Sequence, residues 1–359
     1  MKRYPIFTLI VITVMMACQK DGEEPINAVY DPTPYQIDIG YFPPPDLPSD
    51  NPLTVEGVEL GRMLFYEKRL SRDGSQSCAT CHVQLDGFSD KNQFSEGVEG
   101  KLGRRQAMPV FNMAWHPDAF FWDGRAASLR EQALMPIQDP LEMNESLDNV
   151  VAKLSSSERY KKAFIEAFNS DTITPERMGL AMEQFMLSLV SHDSKFDKYL
   201  AGEADLTPAE ERGMKLFNTE FDPNGIEKGA ECFHCHAGFN FVNNKFMNNG
   251  LDAESDWEDL GMYEVTEIDE DKAKFKTPSL RNIAVTAPYM HDGRFATLRE
   301  VLEHYNTGVK QSPTIDPLMQ YNVDPGLGLS DQDIDDLIAF LHTLTDETYL
   351  NNPDYQDPF

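Results

Sequence analysis

The chain has 359 residues, of which 31 are Lys or Arg and 60 are Asp or Glu, giving a formal charge of -29. That balance excludes nucleic acid and anionic lipid surfaces as partners, because both would be repelled. The length allows two compact domains, and the five cysteines are few enough that their placement decides the reading.

The first residues read as a bacterial export signal: Lys2-Arg3, an apolar run over 6–16, and small Ala17 before Cys18. The run is too short to anchor the chain across a bilayer. Cys18 at the junction predicts a lipoprotein signal peptide over 1–18 with Cys18 lipidated, with a plain signal peptide as the alternative; either way the protein is exported. The protein is therefore expected in the periplasm, touching the outer membrane only through a lipid anchor. Residues 19–50 contain Phe42-Pro43-Pro44-Pro45-Asp46-Leu47-Pro48, which suits neither helix nor central strand and is expected to be a Pro-rich tether.

The next signal is Cys78-Ala79-Thr80-Cys81-His82, which recurs as Cys232-Phe233-His234-Cys235-His236. C-x-x-C-H is the attachment signature of c-type haem: two thiols take the vinyl groups and the histidine becomes an iron ligand. Zinc would want four thiolates or paired ligands nearby, and a redox dithiol would not need a histidine after each second cysteine.

Around these motifs the chain repeats itself. Gly61-x-x-Leu64-Phe65 precedes the first and Gly213-x-x-Leu216-Phe217 the second. Asp123-Gly124-Arg125-x-Ala127-x-Leu129-Arg130-Glu131 matches Asp292-Gly293-Arg294-x-Ala296-x-Leu298-Arg299-Glu300. Thr207-Pro208-Ala209-Glu210 is a capping box that opens a helix running through Phe217, and Ser128 and Thr297 open helices after each Asp-Gly-Arg turn. Ser330 caps a last helix carrying Ile334, Leu337, Ile338 and Leu341 at helical spacing. The fold is expected to be mainly α, with two cytochrome c-like domains, each built around one covalently attached c-type haem. Their expected bounds are 51–205 and 206–345, with a tail over 346–359.

The halves differ where the second iron ligand would stand. In the helix opened by Thr297, Leu298, Leu302 and Tyr305 share a face. Tyr305 is either an iron ligand or an ordinary core tyrosine, and His304 is its neighbour about 100° around the helix. Aligning the capping boxes maps Tyr305 onto Pro136, and proline cannot bind iron. Glu142, beyond Pro136, offers a carboxylate near that open face; from the residues alone a solvated turn acid is the simpler reading.

The ordered string Ser77 to His82, Phe121-Trp122-Asp123-Gly124-Arg125-Ala126, Gln132-Ala133, Pro136-Ile137, Glu142-Met143, the second haem motif, Leu280-Arg281-Asn282 and Ala287-Pro288-Tyr289-Met290-His291-Asp292-Gly293 resembles the bacterial di-haem cytochrome c peroxidase family, including its MauG-like subset. The resemblance implies that Glu142 is the catalytic glutamate and Trp122 a bridge for electrons or holes between the haems. It implies reduction of hydrogen peroxide at the N-terminal haem. Electrons would be relayed through the C-terminal haem from a small donor cytochrome or another redox protein. A MauG-like oxidase acting on a partner protein and a non-catalytic di-haem electron carrier are the alternatives. Val98 stands where typical members carry a loop histidine on the first iron, so that haem is expected to be open. Tyr305 stands where those peroxidases have a methionine ligand and where MauG-like members have a tyrosine. The family's interdomain calcium ion would fall to Gln106, Thr286 and Pro288, with Gln106 in place of asparagine.

Overall fold

Gly61 and Gly213 mark two helix crossings that organise the chain. A Cβ on Gly61 would lie 2.0 Å from the Ala181 carbonyl oxygen, and one on Gly213 would lie 1.9 Å from that of Asp336. Glycine therefore permits backbone contact between the Val55–Tyr66 and Pro175–Ser188 helices in one half, and between Pro208–Phe217 and Asp331–His342 in the other. The repeated Gly-x-x-Leu-Phe is thus a crossing motif, with Leu64, Phe65, Leu216 and Phe217 buried beside it.

The computed structural model describes residues 27–117, 119–222, 224 and 228–359. The expected signal peptide and Cys18 lie outside the described residues. The architecture is mainly helical. Regular strand structure among the described residues is one antiparallel ribbon, in which Phe246 faces Lys276 and Met247 faces Phe275.

Local sequence accounts for the helix starts. Thr207 closes a full capping box with Glu210, as its spacing predicts, and the expected Ser330 cap is completed into a box by Asp333. Thr297 does the same with Glu300 for Leu298–Glu303. Ser128 caps Leu129–Gln138 through the Glu131 N–H, but the Glu131 carboxylate reaches back to the Ala127 N–H instead of to Ser128. Thr174-Pro175 opens the 14-residue helix Pro175–Ser188, which the sequence reading did not single out although it carries the cap and the proline of a helix start.

One apolar core draws on residues between Leu53 and Leu187, and a second on residues between Leu216 and Leu344. A buried polar seam joins them. Asn112 donates to the Asn240 side chain at 2.9 Å, Asn282 donates to Ser191 Oγ at 3.0 Å, and Ser191 donates to Asp346 at 3.0 Å. Arg281, fully buried, makes a two-pronged pair with Asp197, both contacts at 2.8 Å. The Leu280-Arg281-Asn282 motif therefore holds the halves together.

Both flanking segments pack against the helical halves. Within the described part of the expected tether, Phe42 is buried against Trp115 and Phe239 beneath the Arg281 guanidinium, and the Tyr41 hydroxyl donates to Asp197 at 2.7 Å. Proline content prevents regular structure there but not docking of aromatic rings. The expected tail returns to the first half, where Tyr349, Leu350 and Tyr355 pack with Phe65, Phe88, Phe111 and Phe185.

Candidate haem sites

The first site is a cavity of about 60 Å³ walled by Cys78, Cys81, His82, Gln132, Pro136, Glu142 and Met143, among others. His82 Nδ1 lies 2.9 Å from the Phe88 carbonyl oxygen. A carbonyl can only accept, so Nδ1 carries the hydrogen and Nε2 keeps its lone pair for a metal. Burial pushes the imidazole pKa down, which keeps it neutral as ligation requires.

The second site is a larger cavity of about 210 Å³ whose lining includes Cys232, Cys235 and His236 together with Leu298, Leu302 and Tyr305. His236 Nδ1 is 3.2 Å from the Phe241 carbonyl oxygen, and burial lowers its pKa to about 4. The four thiols are not paired with one another. Burial pushes Cys78 and Cys232 up to about 12, so they are protonated thiols with little thiolate for metal or disulfide chemistry. The donor set thus fits covalent haem: two thiols and one neutral histidine per apolar cavity.

The rest of the two linings differs. Tyr305 sits where the helix Leu298–Glu303 widens into a π turn over His304–Gly308. Its phenol lines the cavity, accepts a hydrogen bond from Asn249 Nδ2 at 3.2 Å, and is raised to about 12 by burial. A nearby cation would be needed to ionise it. His304 is buried with its Nε2 3.2 Å from the Asn249 carbonyl oxygen and does not line the cavity. Asn249 also reaches Met290 Sδ at 3.4 Å, a neighbour that the sequence reading did not single out for the site.

In the first cavity the matching position is Pro136, as the repeat predicts. Burial, then the Asp139 charge, raises the Glu142 carboxyl to about 7, against a smaller opposing effect of Arg125. Glu142 shares the wall with Gln132, and Met182 and Met186 enter from the Pro175–Ser188 helix. Those two methionines lay outside the repeat comparison because their helix was not anticipated. Val98 is half-buried beside the site, and its N–H donates to the Glu142 carbonyl at 2.9 Å. Among the described residues lining this cavity, His82 is the only histidine.

Trp122 comes from the first half but lines the second cavity, with Nε1 donating to the Gln106 carbonyl at 2.9 Å. Gln106, Thr286 and Pro288 all line that second cavity. Gln106 Nε2 donates to the Asp90 carbonyl at 2.8 Å, and its main-chain N–H donates to that of His291 at 2.8 Å.

Two C-x-x-C-H cavities in a helical frame define a di-haem c-type protein. The profile of the family described as "Di-haem cytochrome c peroxidase" matches residues 55–205. The chain is 37% identical to the methylamine utilization protein MauG of Methylophilus methylotrophus, covering 83% of this chain and 84% of that protein. It is 31% identical to the cytochrome c551 peroxidase of Pseudomonas aeruginosa, over 95% and 91% of the two chains. A solved structure described as a MauG-like protein associated with microbial copper homeostasis superposes with a TM-score of 0.82 at 35% identity, covering 90% of this chain and 99% of that one. The diheme peroxidase BthA of Burkholderia thailandensis shares the fold, with a TM-score of 0.71. The chain belongs to the di-haem cytochrome c peroxidase family, in which peroxidases and MauG proteins are both close relatives.

Proposed function

We propose that the protein reduces hydrogen peroxide at the His82 site and draws the electrons through the His236 site. The observation that carries this reading is the contrast between a cavity lined by a half-buried Glu142 near Pro136 and one lined by Tyr305. Haem iron, when bound, supplies the electrophilic metal that takes up peroxide and accepts its oxidising equivalents.

The chain's own residues do the rest. His82 and His236 offer neutral Nε2 atoms, each oriented by a carbonyl on Nδ1. Glu142, as carboxylate, takes the proton from one peroxide oxygen and returns it to the oxygen that departs as water. Two electrons and two protons complete the conversion of one peroxide to two waters. Gln132 offers a neutral amide to orient the bound oxidant. Trp122, on the wall of the second cavity, is the relay between the halves. Tyr305 would hold the second haem iron through its phenolic oxygen, which would favour ferric and higher oxidation states.

A MauG-like role, in which the oxidising equivalents pass to a residue of a partner protein, is favoured by Tyr305 standing in place of methionine. Calcium held by Gln106 with the Thr286 and Pro288 carbonyls suits an all-oxygen donor set, and elemental analysis of the purified protein tests it. Export with lipidation at Cys18 completes the reading. No helix of the described residues is long and apolar enough to cross a membrane, and loss of fatty-acid labelling in Cys18→Ala tests the anchor.

The decisive assay mixes peroxide, reduced cytochrome c and the di-haem protein. Steady oxidation of the cytochrome is the expected result. Its absence, with peroxide instead oxidising a side chain of a partner, selects the MauG-like role. Two low-spin ferric haems that ignore both cyanide and peroxide would leave only an electron carrier.

A further inference from the structure

Residues 95–101, which carry Val98 where the peroxidases have a histidine, are fastened to the turn that presents Glu142. Besides the Val98 N–H bond to the Glu142 carbonyl, Gly97 lies so close that a Cβ on it would fall 2.1 Å from the Leu141 oxygen and 2.7 Å from the Glu142 oxygen. These are backbone atoms, so no side-chain rotation relieves the contact. The loop is itself closed by Gly97 N–H to the Lys101 carbonyl at 2.8 Å and Gly103 N–H to the Ser95 carbonyl at 2.9 Å.

Glu99 fastens the far side. Its carboxylate accepts from Arg72 at 2.6 Å, Lys101 at 2.8 Å and Asn144 Nδ2 at 2.9 Å. Asn144 follows Glu142 by two residues, and the Arg72 N–H donates to the Met143 carbonyl at 3.0 Å. Gln76, on the cavity wall, holds the Glu96 carbonyl at 2.7 Å. Each exposed ion pair alone contributes little stability. Together they fix where the 139–144 turn stands, and a carboxylate that must reach two oxygens in succession depends on that placement.

We propose that residues 95–101 form a positioning strap for Glu142, with Gly97 setting how closely the two backbones approach and Glu99 clamping the turn from outside. This rests on Glu142 being the proton carrier of the first site. Gly97 and Glu99 are positioning residues and need not touch the oxidant.

The test compares Gly97→Ala, Glu99→Ala and Glu99→Gln with Glu142→Gln in the haem-loaded protein. It reads amide hydrogen exchange over residues 139–144, the rate at which the ferric protein binds cyanide, and peroxide kinetics. Cyanide enters as its acid and must lose a proton to bind, so it reports Glu142 without turnover. Gly97→Ala is expected to slow cyanide binding and peroxide kcat/KM by about tenfold or more. Exchange over 139–144 should quicken, with the KM for reduced cytochrome and the absorption of the second haem unchanged. Glu99→Ala should follow in the same direction and Glu99→Gln, which keeps an acceptor for Asn144, should recover most of the rate. Wild-type cyanide rates and exchange in both Gly97→Ala and Glu99→Ala, while Glu142→Gln is slow, would overturn the strap. A Glu142→Gln variant that binds cyanide normally would instead overturn the reading of Glu142. If Gly97→Ala lowers haem content, the Glu99 pair decides by the same criteria.

Discussion

The two cavities are built by one device and diverge at one helix position. Each has a C-x-x-C-H turn, a histidine whose Nδ1 is spent on a following carbonyl, an Asp-Gly-Arg turn and a capped helix across the cavity. On that helix the first half offers Pro136, which has no ligating atom, and the second offers Tyr305, aimed inward at a widened turn. Under the proposed function, a duplicated frame acquires two chemistries through one side chain and the acid placed near it. Neither requires a change of fold.

Replacing Glu142 by Gln attacks the reactive half alone. The variant should lose about two to four orders of magnitude in peroxide turnover, the range for one positioned proton carrier, while binding both haems. Full activity would remove the acid–base role. Arg281→Met attacks what the halves share, because it leaves the Asp197 carboxylate buried without its partner. Thermal unfolding should show a loss of roughly 3–5 kcal/mol, and an unchanged melting temperature would contradict the seam described above. Tyr305→Phe attacks the closed half. Absorption and potential of the second haem should change while those of the first stay fixed, and an unchanged spectrum would strike Tyr305 from the ligands. The smallest effect is in pH. Glu142 must be ionised to accept a proton, and with its pKa raised to about 7 the base form is scarce at pH 5 and full above pH 8. Peroxide turnover should therefore rise through neutrality in the wild type and lose that step in Glu142→Gln.

Much of this was legible in the sequence because it is carried by local rules. Caps at Thr207, Thr297 and Ser330 start helices where their spacing says they must, and the offset from Ser128 and Thr297 pairs Pro136 with Tyr305 across the repeat. What escaped depends on contacts between distant segments. Phe42 is buried because Trp115, Phe239 and Arg281 form a socket for it, and no feature of 42–48 announces that socket. Met182 and Met186 reach the first cavity from a helix brought there by the Gly61 crossing. The raised carboxyl of Glu142 did not escape in this way: a site that excludes water is expected to raise it, and burial, then the Asp139 charge, does so.

The central claim is that the first iron keeps an open face while the second is closed. Low-temperature electron paramagnetic resonance of the resting ferric protein, with both haems loaded, measures this most directly. A high-spin signal that vanishes on adding cyanide, beside a low-spin signal that does not respond, is the predicted result. Two low-spin signals, with a thioether of Met143, Met182 or Met186 or another side chain on the His82 haem, would contradict it.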